Sequence, residues 1–359
     1  MCSEARGLSG WPRKAARWIV LAAAVTLALA ALVSTHGESP SSVLTPVSPS
    51  EPIVSTLSLS RSAEFLDAVA LDWTRKRKCG TCHTNYAYLL ARPALKEVSS
   101  PAMAEIREFF EDRIAHWDDA ERSAKPRWDT EVVATAATLA MNDAATTGTL
   151  HARTRQALDR MWTLQKPDGA WNWLKCDWPP YEHDDYYGAV FAALGVGSAP
   201  EGYASSAAAR KGLDRLRAYL TTNPPPDLHH ATFLLWASTR LEGISTPSQQ
   251  AETIRSLRVL QREDGGWSLP SLGTWKRHDG TMNDKDAPSD GYATGLVVYV
   301  LRQAGVPATD PAVRRGADWL RTHQRASGRW FTRSLNTDEF HYIANAGTSF
   351  AVLALEACE

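Results

Sequence analysis

Leu260-Gln261-Arg262-Glu263-Asp264-Gly265-Gly266-Trp267 is the stretch whose reading decides the fold. The same order of glutamine, glycine and tryptophan returns at Leu164-Gln165-Lys166-Pro167-Asp168-Gly169-Ala170-Trp171. It returns in worn form at His323-Gln324-Arg325-Ala326-Ser327-Gly328-Arg329-Trp330. Each copy closes an amphipathic segment. Ile254, Leu257 and Leu260 precede one, Leu158, Met161 and Leu164 another, and Val313, Ala317 and Leu320 the third. Apolar residues three or four apart mark one buried helix face. Gly265, Gly169 and Gly328 suit the left-handed residue that ends a helix. The tryptophan can then fold back over the helix end, while the glutamine amide ties exposed backbone groups across the turn. A degenerate copy, with Leu213, Leu216 and Leu220 running to Thr221-Thr222-Asn223-Pro224-Pro225-Pro226, lacks both Gln and Trp and fills the longer gap.

A repeat of this kind means stacked units, none of which buries its apolar face alone. Between the amphipathic segments lie apolar ones poor in charge: Tyr187 to Val196, His230 to Leu241, Gly291 to Ala304 and Ala344 to Leu355. A helix apolar nearly all round is an inner helix. Inner and outer helices paired in a closed ring make an all-α fold, an α/α toroid. The chain from Ser62 onward, with further helical patterns at Met103 to Trp117 and Val132 to Ala145, has room for about six pairs.

Composition narrows the classes. The chain has 359 residues, 44% hydrophobic and 22% charged, with a formal net charge of −1. That is ample for a large core and offers no field for nucleic acid or an acidic membrane surface. Most of its 14 tryptophans fall in or beside the repeats, and 5 cysteines are too few for a disulfide scaffold.

Residues 1–33 read as a signal peptide or an uncleaved anchor: Arg13, Lys14 and Arg17 precede an uncharged run from Trp18 to Val33, and Ala28-Leu29-Ala30 offers a cleavage site. Both readings place the body outside the cytoplasm, in a periplasmic or similar compartment. Residues 34–60, rich in Ser, Pro and Thr, read as a disordered tether. The segment 61–128 opens with a helical stripe of Phe65, Leu66, Val69 and Trp73 and carries the haem motif; 129–359 is the repeat region.

The motif is Cys79-Gly80-Thr81-Cys82-His83. Cys-x-x-Cys-His is the pattern for covalent attachment of c-type haem: two thiols reach both vinyl groups and the adjacent imidazole reaches the iron. A redox pair does not need the histidine, and a zinc site wants a second ligand pair that the sequence does not offer. The expectation is haem c on Cys79 and Cys82 with His83 on the iron. Met103, His116, Met141 and Met161 are candidates for a sixth ligand, and a five-coordinate iron is the alternative.

The repeats resemble the Gln-Trp repeats of squalene–hopene cyclases and the related prenyltransferase and squalene oxidase repeat proteins, over roughly Arg153 to Cys358. Asp184-Asp185-Tyr186-Tyr187-Gly188-Ala189 and Ser289-Asp290-Gly291-Tyr292-Ala293-Thr294-Gly295 are similar to the inner-helix openings of that family. With Cys-x-x-Cys-His ahead of the toroid, the whole chain is similar to a bacterial subgroup of it. The departures are equally plain. Asp118-Asp119, Asp184-Asp185 and Asn283-Asp284-Lys285-Asp286 all miss the Asp-x-Asp-Asp acid of hopene-type cyclases. Asp290-Gly291-Tyr292 puts tyrosine where protein prenyltransferases place a zinc-binding cysteine. Fold likeness licenses neither activity.

Other candidates remain. Asp184, Asp185 and Asp290 stand where inner helices begin. They either cap free N–H groups or act as acid and base, on a sugar for instance. His229-His230 and His341 fall near inner-helix starts and read as hydrogen-bonded core residues. Trp236, Tyr292, Tyr299 and Phe350 either line an apolar cavity suited to an isoprenoid or pack between helices. The loop Gly273-Thr274-Trp275-Lys276-Arg277-His278-Asp279-Gly280 is long enough to cover a site. Cys176 and Cys358 could form a disulfide or remain thiols. The leading expectation is redox or ligand-binding work at the haem, with an apolar molecule in the toroid, a redox partner, and membrane contact only through an uncleaved N-terminal segment. The rivals are a non-redox terpenoid cyclase-like enzyme, a carbohydrate-active toroid, and a binding or electron-transfer module without catalysis.

Overall fold

A computed structural model describes residues 44, 46–95, 100–119, 126, 128–176 and 178–359. The expected leader at 1–33 and the first part of the expected tether lie outside these residues. Twelve α-helices account for most of what is described: α1 (Leu59–Arg77), α2 (Asn85–Ala91), α3 (Pro101–His116), α4 (Asp129–Thr146), α5 (Ala152–Thr163), α6 (Asp185–Ser198), α7 (Ala207–Thr222), α8 (Leu228–Ser238), α9 (Pro247–Val259), α10 (Gly291–Gln303), α11 (Pro311–Thr322) and α12 (Ile343–Glu356). Among the described residues there is no strand, only isolated antiparallel bridges.

The even-numbered helices are the inner ones. Each packs on the next in chain order, and α12 returns to α2, so the inner layer closes into a ring. Their sequences explain the burial: α6 is buried from Tyr186 through Val196 and α12 from Ile343 through Leu355. The odd-numbered helices form the outer layer and bury single stripes, as α7 does with Leu213, Leu216 and Leu220. The fold is an all-α α/α toroid of six helical pairs, and the segment 61–128 supplies the first of them.

The Gln-Gly-Trp turns are the joints of this ring. Trp171, Trp267 and Trp330 are fully buried, and their indole N–H groups donate to Met161 O (2.8 Å), Leu257 O (2.7 Å) and Leu320 O (2.8 Å) at the ends of the helices they close. Gly169, Gly265 and Gly328 have φ of 101°, 92° and 90°, the left-handed region that glycine tolerates. The glutamines reach further than the sequence indicated. Gln165 Nε2 donates to Gly212 O on α7 (3.0 Å) and Gln261 Nε2 to Ala312 O on α11 (2.8 Å). Gln324 Nε2 donates to Ser58 O (2.8 Å) and Ser62 Oγ (2.8 Å) at the start of α1. Each motif thus ties its own helix to the next outer helix, and the last one closes the ring.

The expected tether is corrected in part. From residue 46 the chain is laid along the third motif: Ile53 bridges Arg325, Val54 N donates to Gln324 O (2.9 Å), and Glu51 pairs with the buried Arg329 (3.0 Å). Few large apolar residues are needed there, because the attachment is made by backbone groups and one carboxylate. Of the two readings of Cys176 and Cys358, the thiol one holds: no disulfide joins them, and Cys176 Sγ donates to Glu182 Oε2 (2.8 Å).

Candidate functional site

The amino ends of the inner helices converge on one mouth of the ring. Asp184, Asp227 and Asp290 are the residues just before α6, α8 and α10, and each carboxylate accepts from the backbone N–H three residues on: Tyr187 (3.0 Å), His230 (2.9 Å) and Ala293 (2.9 Å). All three are helix caps. Asp290 also accepts from Leu269 N–H (2.5 Å) and the Thr332 hydroxyl (3.2 Å). Burial pushes its carboxyl up to about 6 against the pull of these donors. Asp185 points elsewhere and pairs with Lys166 (2.9 Å) and Lys175 (3.0 Å). Burial raises its carboxyl, and the two lysines more than reverse that, leaving it below its ordinary value.

His230 is held between two of the caps. Its Nδ1 lies 2.6 Å from Asp227 Oδ1 and its Nε2 2.9 Å from Asp184 Oδ2. Burial works to lower its pKa, but the two carboxylates outweigh it and hold the imidazole up to about 9. Its neighbour His229 is kept neutral, with burial taking it down to about 3 and the charge of His230 adding to this. His229 Nε2 is 2.8 Å from Tyr292 Oη. The sequence marked the two histidines but missed Asp227 as their partner. The spacing Asp227-Leu228-His229-His230 at a helix start is the signal that could have found it.

Around this pair the mouth is aromatic. Tyr181 packs against Tyr187, His229 and Tyr292 with ring centroids 5.3, 6.2 and 5.8 Å apart. Trp275, from the loop expected to cover a site, is buried with its ring 5.9 Å from that of His229. His341 is also buried here, and its Nδ1 accepts from Ser334 N–H (3.1 Å).

The Cys-x-x-Cys-His turn opens onto the same mouth. α1 ends at Lys78, left-handed at φ 50°. Asn85 then shapes the turn, accepting from Thr81 N–H (2.8 Å) and donating to Cys79 O (3.0 Å). Asn345 at the start of α12 donates to the Thr84 hydroxyl (3.2 Å). Cys79, Cys82 and His83 are 6%, 7% and 6% exposed. The His83 ring meets Tyr181 edge-on at 5.4 Å and Trp178 at 6.4 Å. Burial lowers the His83 imidazole to about 4, so it is neutral, the form that ligates iron. Burial and the nearby Glu182 carboxyl raise the Cys82 thiol well above its ordinary value.

The donor set fits haem c: two thiols outside any disulfide and a neutral imidazole share one turn. The fit also has a condition. The segment carrying Trp178, Tyr181 and Glu182 covers His83 and lies beside Cys82, so a porphyrin there takes the place of that cover. The four candidate sixth ligands lie in separate places. Met161 lies in the core beneath Trp171, Met103 is half-buried on outer helix α3, and exposed His116 donates to Asp112 O (2.7 Å). Met141 stands twelve residues into α4, roughly 18 Å from its amino end.

The four expected cavity residues divide. Tyr292 and Phe350 pack edge-to-face at 5.4 Å within the ring, Phe350 meets Trp236 at 6.2 Å, and Trp236 meets Tyr299 at 5.2 Å. Trp236 and Tyr299 then border a cleft of about 430 Å³ at the carboxyl ends of the inner helices, together with Leu90, Met141, Arg240 and Leu353. All six inner helices or their immediate extensions contribute to it.

No protein-family model matches this chain. Among curated proteins, an 85-residue stretch is 35% identical to labda-7,13-dienyl diphosphate synthase of Streptomyces clavuligerus, covering 23% of this chain and 16% of that protein. The match therefore spans less than a fifth of that relative. Among solved structures, a glycosidase variant superposes with a TM-score of 0.52 at 10% identity, over 83% of this chain and 97% of that one. A second glycosidase variant, in complex with glucose, gives 0.53 at 10% identity over the same shares. An ent-copalyl diphosphate synthase from Streptomyces platensis gives 0.48 at 15% identity, over 75% of this chain and 50% of that one. The chain shares its α/α toroid fold with these glycosidase variants and has a local sequence likeness to the labda-7,13-dienyl diphosphate synthase.

Proposed function

We propose that this toroid is an exported haem-c protein whose haem sits in the amino-terminal mouth of the ring and serves redox or ligand-binding chemistry on an apolar, isoprenoid-like molecule. One observation carries the reading. His83 lies against Tyr181, which itself touches Tyr187, His229 and Tyr292, so the attachment motif belongs to the mouth and not to the outer surface. Haem held there would supply an iron centre able to exchange electrons or bind a small ligand. Cys79 and Cys82 would hold it covalently and His83 would bind the iron. Asn85 and Asn345 fix the turn that presents these groups. The Tyr181 and Trp178 rings that cover His83 would give way to the porphyrin and flank it. Tyr181, Tyr187 and Tyr292 supply the aromatic walls for an apolar molecule at that mouth, whereas the cleft bordered by Trp236 and Tyr299 lies at the opposite ends of the inner helices.

The carbohydrate reading is the weaker one, because the acidic residues of the mouth are engaged: Asp184 and Asp227 on His230, and Asp290 on three donors. Non-redox terpenoid cyclisation draws on the 85-residue likeness. Against it stands the missing Asp-x-Asp-Asp acid.

The test is expression of the full chain with haem-attachment machinery. Haem retained on the chain after denaturation supports the proposal, and Cys82→Ala should then abolish double attachment while His83→Ala changes chiefly the iron spectrum. Matured wild-type protein that carries no covalent haem overturns it.

A further inference from the structure

Asp227, His229 and His230 are a second gathering of donor groups, one that the haem reading leaves unused. One ligand atom from each lies within 4.8 Å of the other two. Both imidazoles already have an oxygen partner on Nε2: Tyr292 Oη at 2.8 Å for His229 and Asp184 Oδ2 at 2.9 Å for His230. That leaves Nδ1 of His229 for a ligand, while a metal on Nδ1 of His230 takes the place of the proton now shared with Asp227. His230 Nδ1 is directed at Asp227 Oδ1. His229 Nδ1 is buried and has no hydrogen-bond partner among the described residues. An orphaned polar atom in so enclosed a place costs stability unless something binds it. Clamping of His230 by two caps explains why α6 and α8 meet there, but it gives His229 Nδ1 nothing to do.

Two imidazoles and a carboxylate are a donor set for zinc or ferrous iron with positions left open. The far-side oxygens match the outer hydrogen bonds that fix the tautomer and orientation of metal-binding histidines. We propose that Asp227, His229 and His230 bind one divalent transition-metal ion at the mouth, with Tyr292 and Asp184 orienting the two imidazoles. Tyr181, with its ring 6.2 Å from that of His229 and 5.4 Å from that of His83, stands between this site and the haem-attachment turn. The site needs no haem.

The full chain, stripped with a chelator, is titrated with Zn²⁺ by calorimetry and with Co²⁺ by visible absorption. One equivalent of each should bind, with cobalt ligand-field bands. Asp227→Asn keeps a capping oxygen but removes the anionic ligand, and His229→Gln removes an imidazole at little change in volume. Each should weaken binding by more than the roughly 10–100-fold expected when only an outer partner is lost. Tyr292→Phe, which loses only such a partner, should fall within that range, an effect that a purely packing role for the tyrosine does not produce. Absence of saturable uptake near one equivalent, or uptake unchanged in both Asp227→Asn and His229→Gln, overturns the proposal. So does loss of uptake in a Cys79→Ser/Cys82→Ser double variant, which would place the metal on the thiols. Zinc uptake in a chain that takes up no covalent haem supports this site while sinking the haem reading.

Discussion

Asp290 carries more hydrogen bonds than a helix cap needs. One carboxylate oxygen serves Ala293 N–H and the Thr332 hydroxyl, and the other serves Leu269 N–H. An amide offers only one oxygen, so Asp290→Asn sets an NH₂ against a donor on one side or the other. That clash is set against relief of the buried charge, so the informative quantity is the pH profile of stability, read from urea midpoints. The pH dependence has a defined sign. Burial raises the folded-state pKa from 3.8 to about 6. The stability linked to this group is therefore fully present below about pH 4 and falls away as the pH rises through 6, by on the order of 3 kcal/mol. Asp290→Asn should flatten the stability profile across that window, and a slope unchanged in the variant would assign the titration to other groups. Trp267 is the other residue whose role is single and measurable. It is fully buried and anchored on Leu257 O, so Trp267→Ala should cost about 3–5 kcal/mol in a denaturant melt.

At the scale of the element, the Gln-Gly-Trp turn is a latch between adjacent outer helices. Gly265 shows why its glycine is required twice over. Its φ is 92°, and a Cβ there would stand 2.8 Å from Arg315 O on α11. Gly280, at φ 84°, has nothing within 4 Å of such a Cβ. Gly280→Ala should therefore cost only the backbone term, about 1–2 kcal/mol. Gly265→Ala should cost clearly more, because α11 must also move. Equal melting temperatures for the two variants would remove the latch from the account. The same comparison separates a conformational demand that the sequence announces from a steric one set by a neighbouring repeat.

The molecule as a whole is a ring whose closure depends on residues far apart in the chain. Gln324 reaches back to Ser58 and Ser62, and Glu51 pairs with the buried Arg329, whose guanidinium also lies 5.0 Å over the Phe65 ring. Removing the carboxylate takes an anionic partner from a buried guanidinium. Glu51→Gln should therefore cost about 3–5 kcal/mol, measured as a shift in the unfolding midpoint. A neutral outcome would mean that this ion pair contributes nothing to closing the ring.

The sequence by itself determined the repeat, the alternation of one-faced and wholly apolar helices, the glycine at each turn, and the grouping of Cys79, Cys82 and His83. These are local matters, since periodicity, left-handed φ and motif spacing are written within a few residues of one another. Only the tertiary structure decided what each motif touches. It sent Gln165, Gln261 and Gln324 to the next outer helix, and it docked residues 46–58, which composition alone marks as a tether. It occupied both oxygens of Asp290, and it placed His230 between Asp184 and Asp227 with His229 beside Tyr292. The physical reason is the ring itself. Residues separated by tens or hundreds of positions become neighbours only when six helical pairs curve back on themselves, and no local pattern records the angle at which they do so.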